Sequence, residues 1–303
     1  MTSLYDSDIF PLNRIAEIQQ HPQDFRLLER IPFTRDDILE RVPLPLVEQQ
    51  PNERVFSVIF LDTETTGLNY AVDKVIELGM VKCKISLDRN IILSIEQIFD
   101  AYEDPKQPLS ATITSLTGIT DEMVRGKRFD DNAVLQFFND NPLVIAHNAK
   151  FDRPFVERRF PNLAKCPWAC SYQEIKWSER GFAISKLEFI LEHEGFFYTA
   201  HRADIDCLAL CFLMYVMPEA FDELIKSSLQ TTYKVEAYNC PFHQKEALKE
   251  QRYSWDGPNK VWYINVMGES AVEEQVRFLE HLYPDARNSV QVTAFTAFDR
   301  YKG

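Results

Sequence analysis

Apolar residues in the middle of this chain fall into short unbroken runs rather than alternating stripes. Val55 to Leu61 is the first of them, a run of strand length with a single Ser inside it. Such a run suits a strand covered on both faces. Val75 to Ile85 and Ile91 to Phe99 predict two more strands, Leu143 to Ala146 a fourth and Trp168 to Cys170 a fifth. Between and after them, helices are expected at Ala111 to Leu116, Ala133 to Phe138, Lys150 to Phe160 and 203–217. Ser185 and Glu188 have the Ser-x-x-Glu form of a capping box, so a further helix should start there and run to about His193. Strands first, then strands alternating with helices, predict an α/β layer domain.

The flanks read differently. Residues 1–42 suggest a short helical arm, with Arg14 to Ile18 and Phe25 to Leu28 as its apolar parts. Pro43, Pro45 and Pro51 then make 43–53 a linker. Pro218 and the polar stretch Ser227 to Thr232 mark a second boundary. Beyond it come a strand (Tyr233 to Tyr238), a helix (Gln244 to Gln251), a hairpin (Tyr253 to Val266), a helix (Ser270 to Leu282) and a strand (Val290 to Phe298). The expected units are an arm with linker (1–53), an α/β domain (54–226) and a small α+β domain (227–303).

Composition narrows the classes. The 303 residues are 45% hydrophobic and 26% charged, which excludes a wholly disordered chain and a disulfide miniprotein. A net charge of −13 argues against a protein that coats polyanions. It leaves room for an enzyme that grips nucleic acid through metal ions and a few local cations. The final segment, with nine Lys and Arg against ten Asp and Glu, is nearly neutral. Met1 to Asp6 lack the basic and apolar regions of a leader, and the longest apolar run, Cys207 to Met217, is too short to span a bilayer. The six cysteines then read as reduced thiols, and a cytoplasmic protein without membrane contact is expected.

The chemistry centres on Phe60-Leu61-Asp62-Thr63-Glu64-Thr65-Thr66-Gly67-Leu68. Residues i and i+2 of an extended chain share a side. Asp62 and Glu64 therefore present two carboxylates together at the end of a buried strand, a costly place for unpaired charge. A hard divalent cation would offset the repulsion. Alone, the pair reads rather as two solvated acids opening a turn. Two further segments accompany it: His147-Asn148-Ala149-Lys150-Phe151-Asp152 at the start of a helix, and His201-Arg202-Ala203-Asp204-Ile205-Asp206 before the apolar helix.

In these three segments the chain resembles the DEDDh 3′–5′ exonucleases of the ribonuclease-H-like superfamily. They include the proofreading epsilon subunit of bacterial DNA polymerase III, ribonuclease T and oligoribonuclease. The matching motifs are Asp-x-Glu-Thr-Thr-Gly-Leu, His-Asn-x-x-Phe-Asp and His-x-Ala-x-x-Asp, with Val75 to Gly79 and Leu116 to Thr120 similar to the segments between. The resemblance covers residues 55–217. It implies a mixed five-stranded sheet flanked by helices. It also implies four metal ligands, Asp62, Glu64, Asp152 and Asp206, holding two Mg²⁺ or Mn²⁺ ions. His201 would be the general base, because an imidazole titrates near neutrality. The implied reaction is hydrolysis from a free 3′ end that releases nucleoside 5′-monophosphates, with DNA favoured over RNA.

Helix geometry by itself pairs His201 with Asp204, three residues on, because Asp206 lies about 140° further round. The family pattern selects Asp206, with the histidine on the preceding loop. Asp206→Ala is then expected to abolish activity and Asp204→Ala largely to spare it. The resemblance also places Thr65, Thr66 and Leu68 against the terminal nucleotide, and Asn148 and Phe151 along the strand. For Phe151, core packing is an equal reading. Lys150, Arg153, Arg158 and Arg159 form a basic cluster that meets phosphates or is simply a solvated face. Glu77 is left open as a buried acid supporting the metal ligands. The cysteine pairs fit a zinc site poorly. Aromatics of the C-terminal hairpin, among them Trp255 and Trp262, either stack on bases or build a small core, with core favoured for one face. Two other readings are an inactive nucleic-acid-binding adaptor and a replication or repair subunit that meets a protein partner through its arm or small domain.

Overall fold

The computed structural model describes residues 12–303, so the first eleven positions of the expected arm lie outside the described residues. In chain order the strands are β1 (Glu29–Arg30), β2 (Leu44–Pro45), β3 (Val55–Thr65), β4 (Val75–Ser86), β5 (Ile91–Tyr102), β6 (Leu143–Ala146), β7 (Trp168–Cys170), β8 (Phe196–Phe197), β9 (Thr232–Ala237), β10 (Ser254–Asp256), β11 (Val261–Met267) and β12 (Val290–Phe295). The central sheet is mixed, in the order β2-β5-β4-β3-β6-β7. Strand β3 runs antiparallel to β4 and parallel to β6.

The unbroken apolar run in β3 has a simple cause. Val58 and Phe60 enter one core, with Val81, Leu208 and Phe221, whereas Ile59 and Leu61 enter another, with Met80, Val144 and Phe155. Helix Ala203–Val216 packs on one face of β3 and β4, and helix Ala149–Arg159 belongs to the other core. Both faces are dry, so polar positions appear only where the strand ends.

Several expectations need correction. The sheet has six strands rather than five, because Leu44–Pro45, assigned to the linker, pairs with β5. An edge strand tolerates proline, and burial of Leu44 pins it there. The Ser185 capping box does not form: helix Leu187–His193 starts after Lys186, which makes no side-chain cap. Helix Pro218–Leu229 has no counterpart in the sequence reading and runs past the expected boundary at 226, burying Phe221, Leu224 and Ile225. Of the described arm, Ile15–Gln20 is helical but Phe25 to Leu28 is not. From Glu29 onward the segment packs on the α/β core through Ile31, Phe33 and Ile38.

The C-terminal segment forms a four-stranded antiparallel sheet, β10-β11-β9-β12, covered by helix Glu269–Leu282. Tyr253 is buried in its core, while Trp255 stays half exposed against Trp262. The chain then returns to the central sheet. Trp168 N donates to Ala297 O at 2.8 Å, and the Arg153 guanidinium donates to the carbonyls of Ala297, Phe298 and Arg300. Arg300 pairs with Glu174 at 2.8 Å, both buried. No described helix is long and apolar enough to cross a membrane.

Candidate active site

The end of β3 opens into a cleft of about 560 Å³. Asp62 and Glu64 line it from the strand and Asp206 from the first turns of helix Ala203–Val216. One carboxylate oxygen from each lies within 4.8 Å of the other two. Gly79, opposite Asp62 in register, permits this approach. A Cβ there would sit 2.2 Å from the carbonyl carbon of Ala203, so any side chain would push the helix and Asp206 away.

Asp152, on the first turn of helix Ala149–Arg159, lines the same cleft but stands outside that group of three. Its Oδ1 accepts from Thr63 N at 3.1 Å and from the Thr63 hydroxyl at 2.8 Å. Asp206 accepts from the Tyr198 hydroxyl at 3.0 Å and from Arg202 N at 3.1 Å.

No Lys or Arg pairs with these four acids among the described residues, and their ionisation shows it. Burial and the neighbouring Asp152, Asp206 and Glu64 push Asp62 well above the ordinary carboxylate range. Glu64 is pushed up to about 8 by burial, then by Asp206 and Glu77. Burial also raises Asp152 and Asp206, although their hydrogen-bond donors oppose it. Three crowded carboxylates with a fourth in the same cleft, and no ion pair to Lys or Arg among the described residues, fit a hard divalent cation.

His201 lines the cleft from the loop before the helix, exposed, with a left-handed backbone at φ 67°. That conformation is costly for a non-glycine residue. The neighbouring Arg202 holds it, donating to Glu77 at 3.0 Å. His147 behaves differently: it is held by Ser171 at 2.9 Å and the Ser185 carbonyl at 2.7 Å, and burial pushes its pKa down to about 4. It is a neutral structural histidine at the cleft wall.

Thr65, Leu68, Asn148 and Phe151 line the cleft as expected. Thr66 does not. Its hydroxyl donates to Asp73 at 3.2 Å and accepts from Lys74 N at 3.0 Å, closing the turn. Gly67 belongs to that turn, since a Cβ there would lie 2.6 Å from the Asp73 carboxylate. Phe151 also packs on Phe155, with ring centroids 5.0 Å apart, so it lines the cleft and joins the core at once. The basic cluster dissolves. Arg153 is buried on the C-terminal carbonyls, Arg158 binds the carbonyls of Tyr70 and Asp73, and Arg159 pairs with Glu103 and Asp131. Lys150, exposed, is the one of the four with neither a hydrogen bond nor an ion pair among the described residues.

Sequence reasoning missed Thr112, Ile113 and Leu116, which form the opposite wall from helix Ala111–Thr117. The signal was Leu116-Thr117-Gly118, where Gly118 ends the helix with φ 71°. Leu68 and Leu116 stand at the rim 87% and 52% exposed, a place for apolar side chains only if something covers them. Tyr198 was also missed, because its link to Asp206 crosses a loop.

A second acidic group lies behind the first. Glu77, Asp100 and Asp204 also bring carboxylate oxygens within 4.8 Å of one another. Here cations are present. Arg202 pairs with Glu77 at 3.0 Å, while Arg35 pairs with Asp100 at 2.7 Å and Asp204 at 3.3 Å. In space Asp206 belongs to the cleft group and Asp204 to the paired one.

Comparison with known proteins follows the same line. The RNase_T family model, described as an exonuclease, matches residues 59–214. A DNA polymerase III of PolC type from Listeria innocua is 42% identical over 167 residues, which are 51% of this chain and 11% of that protein. Its counterpart from Listeria welshimeri is 36% identical over 187 residues, 57% of this chain and 12% of that one. The chain thus spans about a tenth of the length of these relatives. Among solved structures, exonuclease X in complex with 5′-overhanging duplex DNA is 21% identical, covers 56% of this chain and 98% of that one, and has a TM-score of 0.42. Escherichia coli exonuclease I in complex with a dA16 oligonucleotide is 17% identical, covers 59% and 48%, and has a TM-score of 0.45. With the matched segment taking in the cleft's acids and its histidine, the chain belongs to the RNase_T exonuclease family, the DEDDh 3′–5′ exonucleases of the ribonuclease-H-like superfamily.

Proposed function

We propose that this chain hydrolyses phosphodiester bonds from the 3′ end of DNA, at single-stranded or frayed ends, and releases nucleoside 5′-monophosphates. One observation carries the reading: Asp62, Glu64 and Asp206 crowd their oxygens within 4.8 Å, with no ion pair to a cation among the described residues, in a cleft with apolar walls. Asp62, Glu64, Asp152 and Asp206 would hold two Mg²⁺ or Mn²⁺ ions. When bound, such ions supply Lewis-acid stabilisation of the charge that builds on the phosphoryl oxygens and lower the pKa of the attacking water.

The chain's own residues do the rest. His201 accepts the proton of the attacking water at an imidazole nitrogen, and its exposed position lets it pass that proton to solvent. Tyr198 and the Arg202 amide orient Asp206, and Thr63 orients Asp152. Leu68 and Leu116 embrace the terminal base, while Asn148 and Phe151 guide the preceding nucleotide. The curated relatives bear the name of DNA polymerases, which supports DNA over RNA.

The test uses 5′-labelled single-stranded DNA and RNA of matching sequence, with Mg²⁺, with EDTA, and with Asp62→Ala. A ladder shortening from the 3′ end that needs metal and is lost in the variant is expected, faster on DNA. Faster RNA cleavage would replace the substrate class. Binding without cleavage of either would replace the enzyme with an adaptor.

A further inference from the structure

The N-terminal segment does more than cover the core. Strand β1 pairs in parallel with β8, Glu29 N donating to Gly195 O at 2.8 Å and Ile31 N to Phe197 O at 3.0 Å. Arg30 lies over the Phe197 ring at 4.9 Å. Directly after β8 come Tyr198, which holds Asp206, and then His201. Two residues beyond Phe33, whose ring meets Phe212 of the catalytic helix at 5.2 Å, Arg35 reaches the start of that same helix. There it pairs with Asp204, 1% exposed, whose two oxygens have no hydrogen-bond partner among the described residues. Arg35 is also the only described cation within 4.0 Å of Asp204. The segment therefore grips the catalytic loop at both ends: by backbone pairing before Tyr198, and by a guanidinium at Asp204, two residues before Asp206.

We propose that Glu29–Leu39 is a built-in strap that sets the loop carrying Tyr198, His201 and Asp206, with Arg35 as a positioning residue for the reaction. The proposal rests on the reading of His201 and Asp206 given above. Arg35 touches no substrate, since it does not line the cleft. Its effect passes through Asp204 and the helix start. A catalytic carboxylate and its base must be held to a fraction of an ångström, so a loosened loop reduces turnover before it reduces binding.

The test compares full-length wild type, Arg35→Gln and Arg35→Lys on labelled single-stranded DNA, well below the melting temperature. Arg35→Gln is expected to lower kcat about tenfold with KM within about twofold, and to raise the half-saturating Mn²⁺ concentration several-fold. Amide exchange of 198–206 should speed up about tenfold while the strands of the central sheet keep their protection. Arg35→Lys, which keeps the charge, should recover most of kcat. Wild-type kcat and unchanged exchange in Arg35→Gln would overturn the strap. So would a loss of activity that merely follows the folded fraction, with exchange faster throughout. Should Arg35→Gln not fold, Arg35→Lys and Asp100→Asn read the same loop. A wild type that cuts nothing, or an Asp206→Ala that cuts normally, would instead remove the underlying catalytic reading, and the exchange result would still stand on its own.

Discussion

Two groups of three acids sit on either side of one helix start and differ in their cations. Each brings its oxygens within 4.8 Å, and each takes one member from helix Ala203–Val216, at Asp206 and Asp204. The group behind the cleft is paired with Arg202 and Arg35. The group in the cleft has no ion pair to a cation among the described residues, and burial and mutual repulsion push Glu64 up to about 8, against about 6 for Asp100 beside Arg35. Crowded carboxylates therefore do not by themselves mark a metal centre. The informative feature is the absence of a fixed countercharge, which leaves the site's electrostatic demand to be met from solution.

The largest test separates the two groups by sign. Asp62→Asn should reduce turnover at least a thousandfold, because a ligand and its charge are lost together. In EDTA at pH 8 it should nevertheless melt higher than wild type, since one repelling acid is gone. Glu77→Gln should do the opposite: it should lower stability by about 3 kcal/mol by leaving Arg202 without its buried partner. Calorimetry of both in EDTA checks the pair, and equal signs would erase the distinction.

Next in size is His201→Ala, expected to cost about a hundredfold or more in kcat with metal binding retained. Asp204→Asn should cost about tenfold or less, far below Asp206→Ala, as single-turnover assays would show.

The pH dependence follows from the raised acids. Glu64 gives up its proton near 8 in the metal-free fold but near 4.5 in the unfolded chain. The unfolded state therefore binds fewer protons between those values, so metal-free stability falls as pH rises through that window. Mn²⁺ at a hundredfold excess over its Kd should raise the melting temperature by about 5 °C at pH 8. Calorimetric binding should release protons, more at pH 6.5 than at pH 8.5. The smallest effect is expected from Leu116→Ala, about fivefold in KM through lost apolar contact at the rim.

The central strands and the acids were legible because their signals are local. A run covered on both faces is apolar at every position, and Asp62 with Glu64 share a side by strand periodicity alone. What remained hidden depends on distant partners. Thr66 looks like a substrate hydroxyl until Asp73 closes the turn upon it. Arg153 and Arg159 look like phosphate ligands until carbonyls near 300 and the acids Glu103 and Asp131 claim them. Helix Pro218–Leu229 was passed over because its proline, a breaker inside a helix, sits at the first position where it is welcome. The choice of Asp206 over Asp204 came from family resemblance, since helix periodicity alone pointed the other way.

The returning tail sets a schedule for synthesis. The last strand of the central sheet ends at Cys170, yet Arg153 and Glu174 do not meet their partners in the tail until Arg300 has been made. Those contacts close loops of 147 and 126 residues. Until then Arg153 has Glu157 of its own helix and Glu174 accepts from Cys170 N at 2.9 Å, while the contacts to the tail are still missing. Long-range closures of this kind come late in folding. The helix that bears Asp152 thus receives its anchor from the tail only after the whole α/β sequence has been read.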